Sequence, residues 1–343
     1  MKNIKLLALF AAAVLMAACS SDTAEVLEPS TPNNEPKTYK VSLNLEGEYV
    51  DITEEPLTRA DEDAPKKLYG INVYSMKTDG SESSYSNYAY GVFDNKEDMV
   101  ITLLEGYKYK FQCTSVIEGE GKFPSYYFDH SSSNTFSEPF TVAYGLSVSD
   151  VNQFKNSTSI YLRGLEYGDT FTSNGSYYYP KMDRYYGEIE DFDPATTNVA
   201  TIPLKRTVFG MKLVVPSVHD GSLSVSAKAF EPNLYSGREI HIYSQPITEP
   251  VESAAIYSFY DVYDCWKAED TYTASVTLTF EWTRANGIMQ SFTKDITVKR
   301  NVMTVLTVNL DGGSRGTSGV TIGIEEEEQT EMGIEYDEVS FNG

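Results

Sequence analysis

The sequence predicts an all-β protein of two tandem β-sandwich domains, set behind an export signal and a flexible tether. Three observations predict it. Apolar side chains recur at every second position in most of the strand-like segments. Tyrosine is abundant, at 26 of 343 residues, and Ser/Thr/Gly/Asn stretches separate the apolar runs, a mixture that favours strands and turns. The length, finally, suffices for two domains that each bury a core. The hydrophobic fraction of 41% is that of a globular chain, while 50 acidic against 27 basic residues leave a net charge of −23. That balance excludes a nucleic-acid partner, which needs basic surface to release phosphate counterions. It suits a soluble, self-repelling extracellular surface.

The N-terminus justifies the export signal. Lys2 and Lys5 precede an unbroken apolar run from Leu6 to Ala18, too short to span a bilayer but right for the h-region of a secretory signal. The run ends in "LMAAC". Two small residues ahead of Cys19 resemble a bacterial lipobox, in which the cysteine is acylated and becomes the first mature residue; a plain signal peptide with a chance cysteine is the alternative. Residues 1–18 are thus expected to be signal peptide. Residues 19–37, "CSSDTAEVLEPSTPNNEPK", are polar and Pro-rich, the composition of a flexible tether.

The first domain is expected over 38–197. "TYKVSLNLE" places Tyr39, Val41, Leu43 and Leu45 on one face of a first strand and Lys40, Ser42 and Asn44 on the other. Residues 46–66 then read as an acidic loop. Between Glu46 and Asp63 eight carboxylates surround a single basic residue, Arg59, followed by the small Ala60. An accessible, unpaired arginine is what a trypsin-like protease reads; a stray solvated charge is the alternative. "LYGINVYSM" (68–76) reads as a largely buried strand, and "DMVITLLEGYKYKFQCTSV" (98–116) as two strands around a Glu-Gly turn. "VSDVNQFKN" (148–156) predicts a short helix capped by Ser149 or Asp150. Gly168 to Asn198 reads as an aromatic, loop-rich stretch, with the domain boundary near 193–198.

The second domain is expected over 198–343. "TIPLKRTVFGMKLVV" (201–215) resumes the strand pattern, and the turn "HDG" (219–221) leads into "SLSVSAKAF". "SVTLTFEWT" (275–283) faces Val276, Leu278, Phe280 and Trp282 one way. "RANGI" supplies an Asn-Gly turn, after which "QSFTKDITVKRNVMTVLTVNLDG" forms two strands. A Gly/Ser-rich hinge (311–319) then releases a tail, 320–343. In it Val320, Ile322 and Ile324 alternate with polar or small residues, as do Met332, Ile334 and Tyr336 after the acidic run Glu325–Glu328. Such apolar faces fit addition to an open sheet edge; completing the second domain's own sheet is the alternative.

No motif carries catalytic chemistry. His130, His219 and His241 are scattered without ligand or triad spacing. "GGSRG" (312–316) matches G-x-S-x-G, but no histidine follows His241 and the continuation is strand-like, not helical. "EIEDFD" (188–193) could hold a hard cation, though it lacks an EF-hand pattern and reads as a solvated acidic loop. Cys113 and Cys265, far apart in sequence, imply no disulfide framework, and Cys113 lies on a core-facing side. Trp282 alternates with core residues, leaving Trp266 for a surface role. The chain is expected to be no enzyme and to carry no cofactor or metal.

Taken in order, these features resemble the fimbrillin superfamily, the type V pilus proteins of Bacteroidales, along nearly the whole chain. The stretches that carry the resemblance are "LMAAC" ending at Cys19, "LTRA" with Arg59, "LLEGYKYKF" (103–111), "LKRTVFGMKLVV" (204–215) and "KRNVMTVLTVNL" (299–310). The resemblance implies two transthyretin-like Greek-key sandwiches in a lipidated precursor carried to the outer membrane. It also implies that an arginine-specific protease cuts after Arg59, releasing the anchor with the first strand. The vacated groove then takes a strand from the next fimbrial subunit. The residues make this physically sensible. Four apolar side chains at 39, 41, 43 and 45 contribute about 6–12 kcal/mol in gross terms, against a net domain stability of about 5–15 kcal/mol. Implied partners are other subunits and a host protein or glycan receptor, at the cell surface in a fimbrium. Two alternatives stay open. One is an uncleaved anchor of the same superfamily, whose branch "GVFDNKEDMVITLLEGYKYKF" (91–111) resembles. The other is a surface glycan-binding lipoprotein using loop tyrosines such as Tyr177, Tyr178 and Tyr179.

Overall fold

In the computed structural model the alternation over 39–45 becomes strand β1 (Thr38–Gly47), with Val41, Leu43 and Leu45 buried and Lys40, Ser42 and Asn44 exposed. The structure describes residues 36–47, 67–117, 140–142, 151–166, 170–171, 177–178, 183–216, 221–229, 238–268, 272–310 and 320–328. All of the sheets lie in one unit, Lys37–Gly343. Strands β2 (Lys67–Lys77), β4 (Val100–Leu104) and β5 (Tyr107–Ile117) follow in the expected places, with β3 (Ser86–Phe93), not singled out in the sequence, between the first two. Glu105 and Gly106 turn β4 into β5, Gly106 at φ 85°. Then come β6 (Thr141–Val142), β7 (Gln153–Asn156), β8 (Leu162–Arg163), β9 (Thr170–Phe171), β10 (Tyr177–Tyr178), β11 (Arg184–Phe192) and β12 (Val199–Arg206).

Eight of these strands run in the order β4-β1-β12-β11-β5-β2-β3-β7. β12 is the corner of the sheet. Its residues 199–204 pair parallel with β1, and 205–206 pair antiparallel with β11. The backbones come close here: a Cβ on Gly187 of β11 would lie 2.2 Å from the Pro203 carbonyl oxygen. The sheet thereby doubles over. Val41, Leu43, Ile101, Leu103, Ala200, Ile202 and Leu204 from one layer meet Ile71, Val73, Phe93, Phe111 and Cys113 from the other. A sandwich core results.

The second half contributes β13 (Val208–Val215), β14 (Ser222–Ala229), β15 (Arg238–Pro246) and β16 (Val251–Ser258), then a one-turn helix, α1 (Val262–Lys267). After it come β17 (Thr273–Thr283), β18 (Met289–Lys299), β19 (Val302–Leu310) and β20 (Val320–Glu328). Two sheets, β18-β17-β14-β15-β10-β9 and β16-β13-β19-β20, enclose a second core. The expected face of Val276, Leu278, Phe280 and Trp282 lies in it, all four buried. The Asn286-Gly287 turn closes β17 onto β18 through hydrogen bonds between Arg284 and both Ile288 and Gly287.

Several expectations change. The boundary expected at 197/198 is crossed in both directions: β12 completes the first core, while β9 and β10 extend a sheet of the second. Thr207 alone separates β12 from β13. In place of the helix expected over 148–156, the described part, from Val151 on, is a turn and then β7, paired with β3. Asn152, at φ 64°, accepts hydrogen bonds from the Asp94 and Asn95 amides, and Phe154 packs its ring 4.8 Å from Phe93. These contacts outweigh a marginal helical signal. Residues 188–192 of the "EIEDFD" stretch belong to β11, which is no solvated loop at its start. Glu188 is buried, ion-paired with Lys110 at 2.8 Å and hydrogen-bonded by Gln112 and by the Tyr186 hydroxyl. Burial, then the neighbouring Glu188 charge, pushes the Tyr186 hydroxyl up.

Trp266 takes no free surface position either. It sits on the unanticipated α1, with its ring 5.6 Å from Tyr186 of β11 and edge-on to it, part of a third cluster that includes Phe140, Leu165 and Val262. Tyr177 and Tyr178 are strand residues of β10 and not loop residues, paired with β9 and β15. Cys113 is buried, its thiol pushed up by burial, and Cys265 is buried on α1; neither is in a disulfide. His241 lies in β15, whereas His130, His219, Tyr179 and the "GGSRG" stretch fall outside the described residues.

Candidate functional site

The first strand is held in a slot between β4 and β12. Its N-terminal half, Thr38–Ser42, pairs antiparallel with Leu104–Val100 of β4, and its C-terminal half, Ser42–Gly47, pairs parallel with Val199–Leu204 of β12. Ser42 belongs to both ladders. Two further backbone bonds seal this midpoint, Ser42 N–H to Asn198 O and Leu43 N–H to Met99 O, both at 2.9 Å. Beneath the strand, Val41, Leu43 and Leu45 meet Ile101 and Leu103 of β4 and Ala200, Ile202 and Leu204 of β12, all buried in one core. The alternation of β1 thus fills a groove whose walls alternate in the same way.

Each end of the strand is fixed differently. At the N-terminal end Glu105, in the β4–β5 turn, donates its amide to the Lys37 carbonyl at 2.8 Å. Its Oε1 accepts from the Tyr39 hydroxyl at 2.8 Å and from the Lys37 ammonium at 3.3 Å. The Tyr39 hydrogen bond, then the Lys37 ammonium, holds the Glu105 carboxyl below its usual range, and Tyr39 and Glu105 raise Lys37. At the C-terminal end Gly47 adopts φ 101°, and a Cβ there would lie 2.6 Å from the Leu204 carbonyl oxygen. Only glycine allows both the conformation and the approach. The chain then runs through 48–66 to reach β2 in the opposite layer.

The structure therefore brings Tyr39, Val41, Leu43 and Leu45 together with groove residues that the sequence did not single out. The alternation of Ile101/Leu103 and of Ala200/Ile202/Leu204 is visible in the sequence, but nothing local says that these segments flank the first strand. Val320, Ile322 and Ile324 occupy alternate positions of β20, which pairs antiparallel with β19 at the edge of a different sheet. Glu325–Glu328, the acidic run between the two apolar faces, continue β20 opposite Val305–Val302. Cys19, Arg59, Ala60, Met332, Ile334 and Tyr336 lie outside the described residues. Among the described residues no group of three or more His, Cys, Asp or Glu side chains could hold a metal ion, and no helix is long and apolar enough to cross a membrane.

Compared with known proteins, the chain matches no family model and no curated protein. It is similar to several solved structures. One is a candidate cell adhesion protein from Bacteroides uniformis, at 11% identity and TM-score 0.35, covering 85% of this chain and 99% of that one. Another is the fimbrial anchor protein Mfa2 from Porphyromonas gingivalis, at 11% identity and TM-score 0.38, over 84% and 97%. A third is a candidate cell adhesion protein from Bacteroides eggerthii, at 13% identity and TM-score 0.39, over 86% and 98%. With identities of 11–13% and TM-scores no higher than 0.39, these likenesses assign no function, site or partner to the chain.

Proposed function

We propose that the protein is a structural subunit, shaft or tip, of a cell-surface fimbria that supports adhesion. In this reading it is exported as a lipoprotein acylated on Cys19, reaches the outer membrane, is cut after Arg59 and polymerises by strand exchange with other subunits. The observation that carries the reading is the covalent position of β1. The strand fills a groove in the first core, yet the segment 48–66, which contains Arg59, is all that joins it to β2 and the strands beyond. One cut there turns a central strand into a separable fragment. Its departure would expose the apolar walls Ile101, Leu103, Ala200, Ile202 and Leu204 and strip β4 and residues 199–204 of β12 of their β1 ladders, a state that demands a replacement strand.

The C-terminal tail, 320–343, supplies a candidate donor. Among the described residues β20 is an edge strand of its own sheet, so one ladder, to β19, must break for it to leave. Two tandem β-sandwiches, behind a signal peptide and tether, form the rest of the proposal.

N-terminal sequencing of surface-extracted protein tests it. A start at Ala60 supports a cut, polymerising subunit. A blocked, lipidated Cys19 overturns the cut and favours the uncleaved anchor, to which "GVFDNKEDMVITLLEGYKYKF" bears its resemblance. Cys19→Ala should move the precursor out of the detergent phase; continued partition into detergent would refute acylation at that residue.

A further inference from the structure

The two ladders of β1 are staggered, and this sets the order in which they can open. Residues 38–41 pair with β4 alone and residues 43–47 of the register pair with β12 alone, with Ser42 common to both. On the inward face Tyr39 is partly buried, burial is complete at Val41, 0% exposed, and it eases toward the C-terminal end, to 8% at Leu43 and 9% at Leu45. Among the described residues the side-chain clamp is also one-sided: Glu105 binds Tyr39 and Lys37 at the N-terminal end, whereas at the C-terminal end the Asn44 side chain bonds to Glu46 of the same strand.

We infer that β1 opens from its C-terminal end, residues 44–47 lifting off β12 while 38–42 remain clamped on β4. The inference deepens the strand-exchange reading and rests on it for its biological meaning. The end that opens is the one next to Arg59, so a cut at that arginine frees the half that already separates most easily. What it uncovers is the Val199–Leu204 edge of β12, with Ile202 and Leu204 beneath. That edge takes an extended segment running parallel to β12 with apolar residues at alternate positions, as β1 does. A replacement strand then meets β12 first and displaces the β4-bound half last. Such a route never leaves the whole groove empty, so no step loses all of the strand's pairing at once.

Thiol accessibility in the full, uncut chain tests the order. Leu45→Cys and Val41→Cys are each placed in a Cys19→Ala background, where the native Cys113 and Cys265 are buried and serve as slow references. The thiol at 45 is expected to react with a small thiol reagent at least about ten-fold faster than that at 41, as local opening with unequal free energies requires. Equal rates, or faster reaction at 41, overturn the inference. Should either variant fail to fold, amide hydrogen exchange of the unsubstituted chain decides: Leu45–Gly47 must exchange before Tyr39–Val41, and uniform exchange overturns it. Because the chain is uncut, failure of a protease to act at Arg59 would sink the processing step without touching this result.

Discussion

Asp183 and Arg206 form a two-point ion pair, Nε to Oδ1 at 2.8 Å and Nη2 to Oδ2 at 2.9 Å, with both side chains largely buried. The pair stands where β12 hands the chain to β13, and the Arg206 carbonyl accepts from Arg300 Nη1 at 3.2 Å. A planar guanidinium matched to a carboxylate in this way fixes direction as well as distance. Removing one partner strands a buried charge, so Asp183→Asn should cost about 3–5 kcal/mol of stability. Asp183→Asn with Arg206→Met should cost less than the single change. Urea denaturation reads both, and a single variant within about 1 kcal/mol of the parent would show the pair to be dispensable.

Leu43 lies at the centre of the β1 groove. Truncating it leaves a cavity between the two layers as well as losing transfer energy, so Leu43→Ala should lower stability by about 2–5 kcal/mol. Ser42→Ala, one residue away but facing solvent, should stay within about 0.5 kcal/mol. Equal losses at the two positions in equilibrium unfolding would mean that the strand is not seated by its apolar face.

Much of the strand pattern was legible in the sequence because a strand with one buried face must alternate: Tyr39 to Leu45, Val276 to Trp282 and the Glu105-Gly106 turn all read directly. Partner choice was not. That β1 lies parallel to β12 depends on chain segments far apart in sequence, and no local pattern encodes it. The failures have physical causes of the same kind. The short apolar spacing in "VSDVNQFKN" yields to Asn152, whose side chain bonds across to Asp94 and Asn95 and turns the chain into a strand. Glu188 reads as solvated until Lys110 and Gln112, brought alongside by β5, satisfy it. Helix α1 is too short for a 3.6-residue periodicity to declare itself.

Acid should loosen the N-terminal end of β1. The Tyr39 hydroxyl and the Lys37 ammonium hold the Glu105 carboxyl below its ordinary 4.5. A carboxyl depressed by folding adds stability above its unfolded value and loses it as the pH falls through the folded one. Lys37, raised above 10.5, works in the opposite sense and loses its contribution only in strong base. Protection of the 38–41 amides, corrected for intrinsic exchange, should therefore fall below about pH 4.5 in the parent chain. In Glu105→Gln it should lose that dependence, and identical profiles would remove the clamp from the account.

Mild trypsin treatment of the folded precursor should cut first after Arg59. Residues 46–63 are acidic and contain Pro56, a composition typical of accessible chain. Competing sites are protected: Arg238 lies in the β14–β15 ladder opposite Ala229. Arg284 sits in a tight turn with its guanidinium 4.4 Å from the Trp282 ring. Early fragments ending at Arg238 or Arg284 would show that the acidic stretch is not the most accessible site.

The tail supplies the most demanding test. Among the described residues β20 occupies the edge of its sheet and pairs with β19 alone, so a subunit could release it at the cost of one ladder, whereas β1 is bonded to two neighbours. Val320, Ile322 and Ile324 repeat the two-residue spacing of Val41, Leu43 and Leu45, the spacing that the groove walls accept. The acidic run Glu325–Glu328 gives the donor a boundary, since four carboxylates would not follow the apolar residues into a dry groove. A chain from Ala60 to Gly319 should therefore stay monomeric, or aggregate without order, at concentrations where the chain from Ala60 to Gly343 forms filaments. Size-exclusion chromatography and electron microscopy separate these outcomes. Ile322→Asp with Ile324→Asp, which keeps the full length, should block filaments in the same way, because two charges would have to enter the first core of the neighbour. Regular filaments from either variant would exclude the tail as donor and leave β20 as the closing strand of its own sheet.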